Sequence, residues 1–208
     1  TPAAVLVQKG PLALPRNGLS LAAVILVLLG SIFSNGNWVL TVSQGHVNVF
    51  WTLEVVLTFA AAVVLFVGHF TRMQLKIPLL VWGGAALIGL VSDLNTAFKM
   101  WALKHIGTEL GIYYFFLGLL TAASALFIIL YAFKAIKKIP AAVILGVLLT
   151  ALIILGVSFN LKNLAGYLSV YNKNIPLIAR TLYSTLYSFI FPVGIFLAAL
   201  SAKEKVKK

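Results

Sequence analysis

The chain has no cysteine among its 208 residues. That excludes disulfides, thiolate chemistry and iron–sulfur ligation. Acidic residues are nearly absent too: Glu54, Asp93, Glu109 and Glu204 stand against 16 Lys and Arg. There is no Gly-x-Ser-x-Gly elbow, no Walker-type phosphate loop and no His-Glu-x-x-His motif. Nucleophilic, phosphoryl-transfer and zincin chemistry therefore find no support. An enzyme needs a convergent acid, base or metal site. None assembles here, so a non-enzymatic protein is expected. No polar stretch long enough for a water-soluble domain separates the apolar runs.

Histidine is scarce as well: His46, His69 and His105. His46 and His69 fall at the two ends of one predicted helix, about 35 Å apart at 1.5 Å per residue. They cannot share a metal. His46 and His105 lie on one side and can meet, but with no carboxylate cluster beside them no metal is expected. Three histidines cannot build a four-histidine di-haem bundle, and no cofactor is expected.

What the chain has is apolar surface. Its hydrophobic fraction is 62% and its mean hydropathy +1.06, where soluble domains hold about 45–50% apolar residues. Six runs match the roughly 20 residues that a helix needs to cross the hydrocarbon core. They are residues 18–40, 48–69, 77–98, 112–133, 139–158 and 177–200. The fold expected is an all-α integral membrane protein: a six-transmembrane-helix bundle forming one polytopic domain over residues 1–208. It is multi-pass in a cell or organelle membrane. The first run is too long for a signal-peptide core and reads as a retained span.

The net charge of +12 would suggest nucleic acid in a soluble protein. Here the basic residues cluster at span ends, where they meet anionic lipid headgroups. No nucleic-acid partner is expected. Eleven of the 16 basic residues fall on one side (Lys9, Arg16, Arg72, Lys76, Lys134, Lys137, Lys138, Lys203, Lys205, Lys207 and Lys208). Five fall on the other: Lys99, Lys104, Lys162, Lys173 and Arg180. The positive-inside rule then puts both termini in the cytoplasm.

Two inner connections, Thr71–Lys76 and Lys134–Lys138, are short and basic. Three outer ones, Ser34–Val47, Lys99–Gly111 and Asn160–Pro176, read as longer polar loops, where binding commonly sits. Asn35-Gly36-Asn37 reads as a break in the first span. Pro78 and Pro140 mark helix starts, and Pro192 should kink the sixth span unless neighbours compensate. Phe98–Ile106 and Leu161–Tyr171 read as short interfacial helices, with Trp101, Tyr167 and Tyr171 at headgroup depth. Lys203–Lys208 reads as a basic tail or an extension of the last helix. Gly83, Gly84, Gly89 and Gly118 read as helix-packing positions. No internal similarity relates residues 18–98 to 112–200.

Candidate ligand- or ion-pathway residues are the charges and polar groups inside the spans: Glu54, Asp93, Arg180, Tyr183 and Tyr187. A charge at membrane depth costs a few kcal/mol and faces a partner or a wet cavity. Glu54 therefore either contacts an ion, proton or substrate, or forms a structural pair with Arg or Lys. Asp93, beside Ser92 and Asn95, either shares a site with Glu54 or ends its helix in water or paired with Lys99. Two carboxylates in one site can hold a proton between them. Arg180, Tyr183, Ser184 and Tyr187 recur at helical spacing. With Thr181, Thr185 and Ser188 they give the sixth span a polar face that points into a bundle or cavity.

The stretch Leu26–Leu40, LVLLGSIFSNGNWVL, followed by VNVFW from Val47, resembles the amide and urea channel family, which also has about this length and six spans. The resemblance covers the first two helices and implies a small neutral solute passing through each protomer. The family's aromatic signature in the third span is missing here, and the charge bias implies another orientation, so no residue role is carried over. The outer loops look, in architecture alone, like those of substrate-capturing subunits of vitamin importers. The leading expectation is a protein that binds or conducts a small solute or ion from the outer side. The alternative is an accessory subunit of a larger membrane complex, respiratory or otherwise energy-transducing, with no transport of its own. Expected partners are the bilayer and further subunits in an oligomer or complex.

Overall fold

The computed structural model describes residues 9–103, 108–170 and 175–206. Six helices dominate: α1 Gly18–Ser43, α2 Val49–Thr71, α3 Lys76–Ala102, α4 Thr108–Ala132, α5 Lys138–Val170 and α6 Ile175–Ser201. Each is long and apolar enough to cross a membrane. Two short strands, β1 Lys9–Ala13 and β2 Lys203–Val206, add to the expected all-helical chain. They pair antiparallel, with Leu12 opposite Glu204 and Ala13 opposite Lys203. The predicted basic tail is therefore partly strand, and α6 ends at Ser201 instead of running on.

Local chemistry explains the helix ends. Asn17 caps α1 in a capping box with Ser20, its side chain accepting from Ser20 N at 2.9 Å. Asn48 caps α2 by accepting from Trp51 N. Pro78 and Pro140 sit in the first turns of α3 and α5, where backbone N–H groups lack intrahelical partners anyway. Arg72 and Lys134 take left-handed conformations just after α2 and α4, which stops each helix. Pro192 lies inside an α6 that continues through it to Ser201.

The predicted outer loops are largely helix. The chain runs helical through Asn35-Gly36-Asn37 to Ser43, so that triplet is no break. Phe98–Ala102 completes α3, and Leu161–Val170 continues α5; the remainder of those two stretches, residues 104–106 and Tyr171, lies outside the described residues. The reason is that hydropathy reports lipid contact, whereas helix formation needs only satisfied backbone. At 33 residues, α5 is about 50 Å long. It outlasts a hydrocarbon core of about 30 Å, and its last turns can be polar.

Each helix packs on its neighbours in sequence, and α6 closes onto α1. The result is a ring of six helices. Close approach of α1 and α6 depends on glycine: a Cβ on Gly30 would sit 2.7 Å from Phe191 Cβ, and one on Gly194 would sit 2.7 Å from Val27 N. At the end bearing the strands, the ring is filled. Val24, Val27, Leu65, Leu79, Trp82, Ile128, Leu145 and Ile195 are all buried there. Trp82 and Phe191 meet across the centre, with ring centroids 5.9 Å apart. Leu12 and Leu14, tied down by the bond from Leu75 N to Leu12 O, seal that end.

Candidate functional site

The opposite end of the ring is hollow. A cavity of about 440 Å³ lies between the helices, and every helix contributes to its wall. Each contribution is a stripe at three- and four-residue spacing, as one helical face requires. Examples are Ser34, Asn37 and Thr41 from α1, and Asn160, Asn163 and Tyr167 from α5. On α2 the wall runs from Asn48 to Thr58, a depth of about 15 Å. That depth equals about half of the roughly 30 Å that a hydrocarbon core measures. Tyr187 and Ser188 lie at its floor, shared with a much smaller apolar void bounded by Trp82, Phe191 and Pro192.

The three charged candidates, Glu54, Asp93 and Arg180, all line this space. Glu54 and Asp93 both line the chamber, from α2 and α3. Glycine makes room for them. A Cβ on Gly89 would lie 2.5 Å from Glu54 Oε1, and one on Gly118 would lie 3.0 Å from Asp93 Cβ. Of the four packing glycines of the sequence, Gly89 and Gly118 are seats for carboxylate side chains, Gly83 packs against Ile129, and Gly84 meets nothing within 4 Å. Among the described residues neither carboxylate has a hydrogen-bond or ion-pair partner. The structural pair expected for Glu54 is not formed there, and Asp93 does not pair with Lys99. Asn95 is exposed, whereas Ser92 is buried and bonded to Asn48 at 3.3 Å.

Arg180 faces the chamber from α6. Its Nη1 donates to Gln44 Oε1 at 2.8 Å, while its buried Nε has no partner among the described residues. The Tyr114 hydroxyl lies within electrostatic reach of both Asp93 and Arg180. The Tyr187 hydroxyl lies within reach of both Glu54 and Asp93. Opposite charges therefore flank one space.

Tyr183 departs from expectation. It is not part of the chamber wall. Its ring packs over Gly36 and stacks on Phe33 of α1, centroids 6.0 Å apart. It sits at the edge of the α6 polar face, where α1 intervenes. Arg180, Ser184 and Tyr187 keep to the chamber side. His46 precedes α2 instead of lying on it and is exposed. His69 is buried at the far end, its Nδ1 3.2 Å from Ser20 Oγ. His105 and Tyr171 lie outside the described residues. Among those described, no three His, Asp or Glu side chains cluster as metal ligands.

Sequence reasoning missed the α4 and α5 walls. Tyr113 stacks on Phe159 with centroids 3.8 Å apart and planes 10° apart. Asn160 donates to Gly156 O at 2.8 Å and approaches Ser188 Oγ at 3.4 Å, joining α5 to α6. The available signal was the polar stripe at helical spacing in every span.

No family model matches the chain, and no curated protein or solved structure matches it. The likeness to vitamin-importer subunits rested on long outer loops, which among the described residues are largely helix.

Proposed function

We propose that this is a non-enzymatic, multi-pass membrane protein that binds a small polar solute in the chamber, as a receptor or as one state of a transport cycle. The observation that carries the reading is the chamber itself. It is a polar cavity formed by all six helices, holding two carboxylates with no partner among the described residues. Unpaired charge inside a membrane-spanning bundle is costly, and it persists where it meets water, an ion or a substrate. The volume of about 440 Å³ falls within the roughly 300–1,000 Å³ of small-molecule sites.

Lipid fits the outer face of the ring, where Leu29, Val67, Leu87, Leu126, Ile154 and Phe189 are exposed. Arg16, Arg72, Lys76, Lys134, Lys137 and Lys138 flank the strand end. By the positive-inside rule that end is cytoplasmic, with both termini, and the chamber opens outward.

The absence of native cysteine makes the test clean. Single cysteines are placed at Ser184 in the chamber wall and at Leu149 in the core. A membrane-impermeant cationic thiol reagent is then applied from outside. Ser184→Cys should label and Leu149→Cys should not. A panel of amino acids, amines, carboxylates, sugars and inorganic ions is next screened for slowing that labelling. Equal labelling of both sites, or of Ser184→Cys only from inside, would sink the outward chamber. If no solute protects and the protein purifies only within a larger hetero-complex, the accessory-subunit reading replaces this one.

A further inference from the structure

We infer that the solute is a small zwitterion, carrying an ammonium and a carboxylate as an α-amino acid does. This inference rests on the proposed binding function and deepens it.

The chamber's charges are separated by wall. Glu54 and Asp93 stand on the adjacent helices α2 and α3, and Arg180 stands on α6. If their role were only to neutralise one another, they would form an ion pair. Instead Arg180 gives one donor to the neutral Gln44 side chain, and its buried Nε has no partner among the described residues. An orphaned guanidinium N–H away from water is costly, and carboxylates are the natural partner of that planar fork.

A purely cationic ligand would satisfy the carboxylates and leave Arg180 orphaned. A purely anionic one would do the reverse and meet two like charges. A neutral solute would satisfy neither. A zwitterion satisfies both walls at once. Its ammonium lies towards Glu54 and Asp93, where the rings of Trp51, Tyr113 and Tyr187 also line the wall and attract cations through their faces. Its carboxylate lies towards Arg180. The α-substituent is left to Leu117 and Phe159.

Four probes of one skeleton test the charges separately: norvaline, butylamine, pentanoate and pentanamide. Binding to purified full-length protein in nanodiscs is read by calorimetry and by protection of Ser184→Cys. Norvaline should bind at least about tenfold tighter than each of the other three, since each lost charge-assisted contact forfeits about that much. Arg180→Gln should bring norvaline down to the level of butylamine, and Glu54→Gln should weaken both amines. Arg180→Lys should restore part of the norvaline binding. A thermal melt of each variant separates lost binding from lost folding. Butylamine binding as tightly as norvaline would overturn the zwitterion while leaving a solute-binding chamber. Pentanamide binding equally would overturn it in favour of a neutral solute. Binding of none of the four also overturns it, and the wider panel and the labelling pattern then decide separately whether the chamber binds anything.

Discussion

The two halves of the helical ring are built from the same six helices and face opposite demands. Towards the strand pair, the inward positions are Val24, Leu65, Trp82, Ile128, Leu145 and Ile195, a packed apolar core with few buried polar groups such as the His69–Ser20 pair beside it. Towards the other end, the same faces carry Asn37, Glu54, Asp93, Tyr113, Asn160 and Ser184 around a cavity. In lipid the outward faces of both halves can be equally greasy, so the driving force for assembly must come from packing and internal polar contacts. The lesson is a division of labour. The filled half holds the ring together, and the hollow half can then carry groups that weaken it.

The largest expected effect breaks the filled half. Gly194→Val would push a side chain onto the α1 backbone at Val27 N, 2.7 Å from the new Cβ. Backbone cannot step aside as a flexible side chain can, and overpacking typically costs about 1–3 kcal/mol or more. Gly194→Val should lose monodisperse protein on size exclusion or melt well below wild type. Gly84→Ala, where a Cβ meets nothing within 4 Å, is the control and should be neutral. Equal behaviour of the two would show that the α1–α6 seam does not carry the fold.

The second effect has the opposite sign. Glu54 holds a carboxylate in the chamber without a described partner, held at the expense of stability if its role is functional. Glu54→Gln should leave the melting midpoint unchanged or raise it by roughly 2–4 °C per kcal/mol gained, while ligand protection of the chamber is lost. Val67→Leu, on an exposed apolar face of the same helix, should change neither. A Glu54→Gln protein that melts lower and still binds would make Glu54 a structural residue.

How much of this was legible beforehand divides along the same line. The number of helices and their approximate ends followed from apolar runs, because lipid demands about 20 such residues regardless of what lies inside. The chamber was only half legible. Glu54, Asp93 and Arg180 stand out as charges in apolar sequence, but Tyr113, Asn160 and Tyr167 do not. Asn160 falls in a stretch that reads as an outer connection and Tyr167 in one that reads as a separate interfacial helix, because hydropathy falls after Phe159, although the 160, 163, 167 spacing continues the helix. Tyr183 shows the converse limit. Its spacing matched the polar face, yet three-residue periodicity leaves an uncertainty of a neighbouring helix, and Gly36 lets its ring lie flat on α1.

Orientation comes next, and it sharpens the comparison without altering stability. Ser43, the last residue of α1, is exposed at the chamber end, and Lys137 is exposed at the strand end. Cysteines introduced there should label from opposite faces of intact cells, Ser43→Cys from outside. Labelling of both from one face would remove the six-span topology. The reverse assignment would turn the chamber inward and overturn the reading from basic residues.

The smallest effect concerns the ion pair between Lys162 on α5 and Glu109 on α4. It looks like the obvious electrostatic staple of the chamber end, since it joins two helices around the cavity. Its side chains, however, are 63% and 69% exposed, so water and salt screen the attraction, and such pairs are worth about 0.2–1 kcal/mol. What holds α4 to α5 at that level is instead the stacked pair Tyr113–Phe159, which couples dispersion and ring electrostatics between largely covered ring faces and does not depend on exposed charge. Lys162→Ala should therefore shift the melting midpoint by no more than a few degrees, and the shift should vanish at about 1 M salt, where the Debye length is about 3 Å. Phe159→Ala should cost several times more and keep its cost at that salt. If the two variants are equally harmful, or if salt abolishes both effects, then surface charge and not the aromatic stack sets the spacing of the chamber wall.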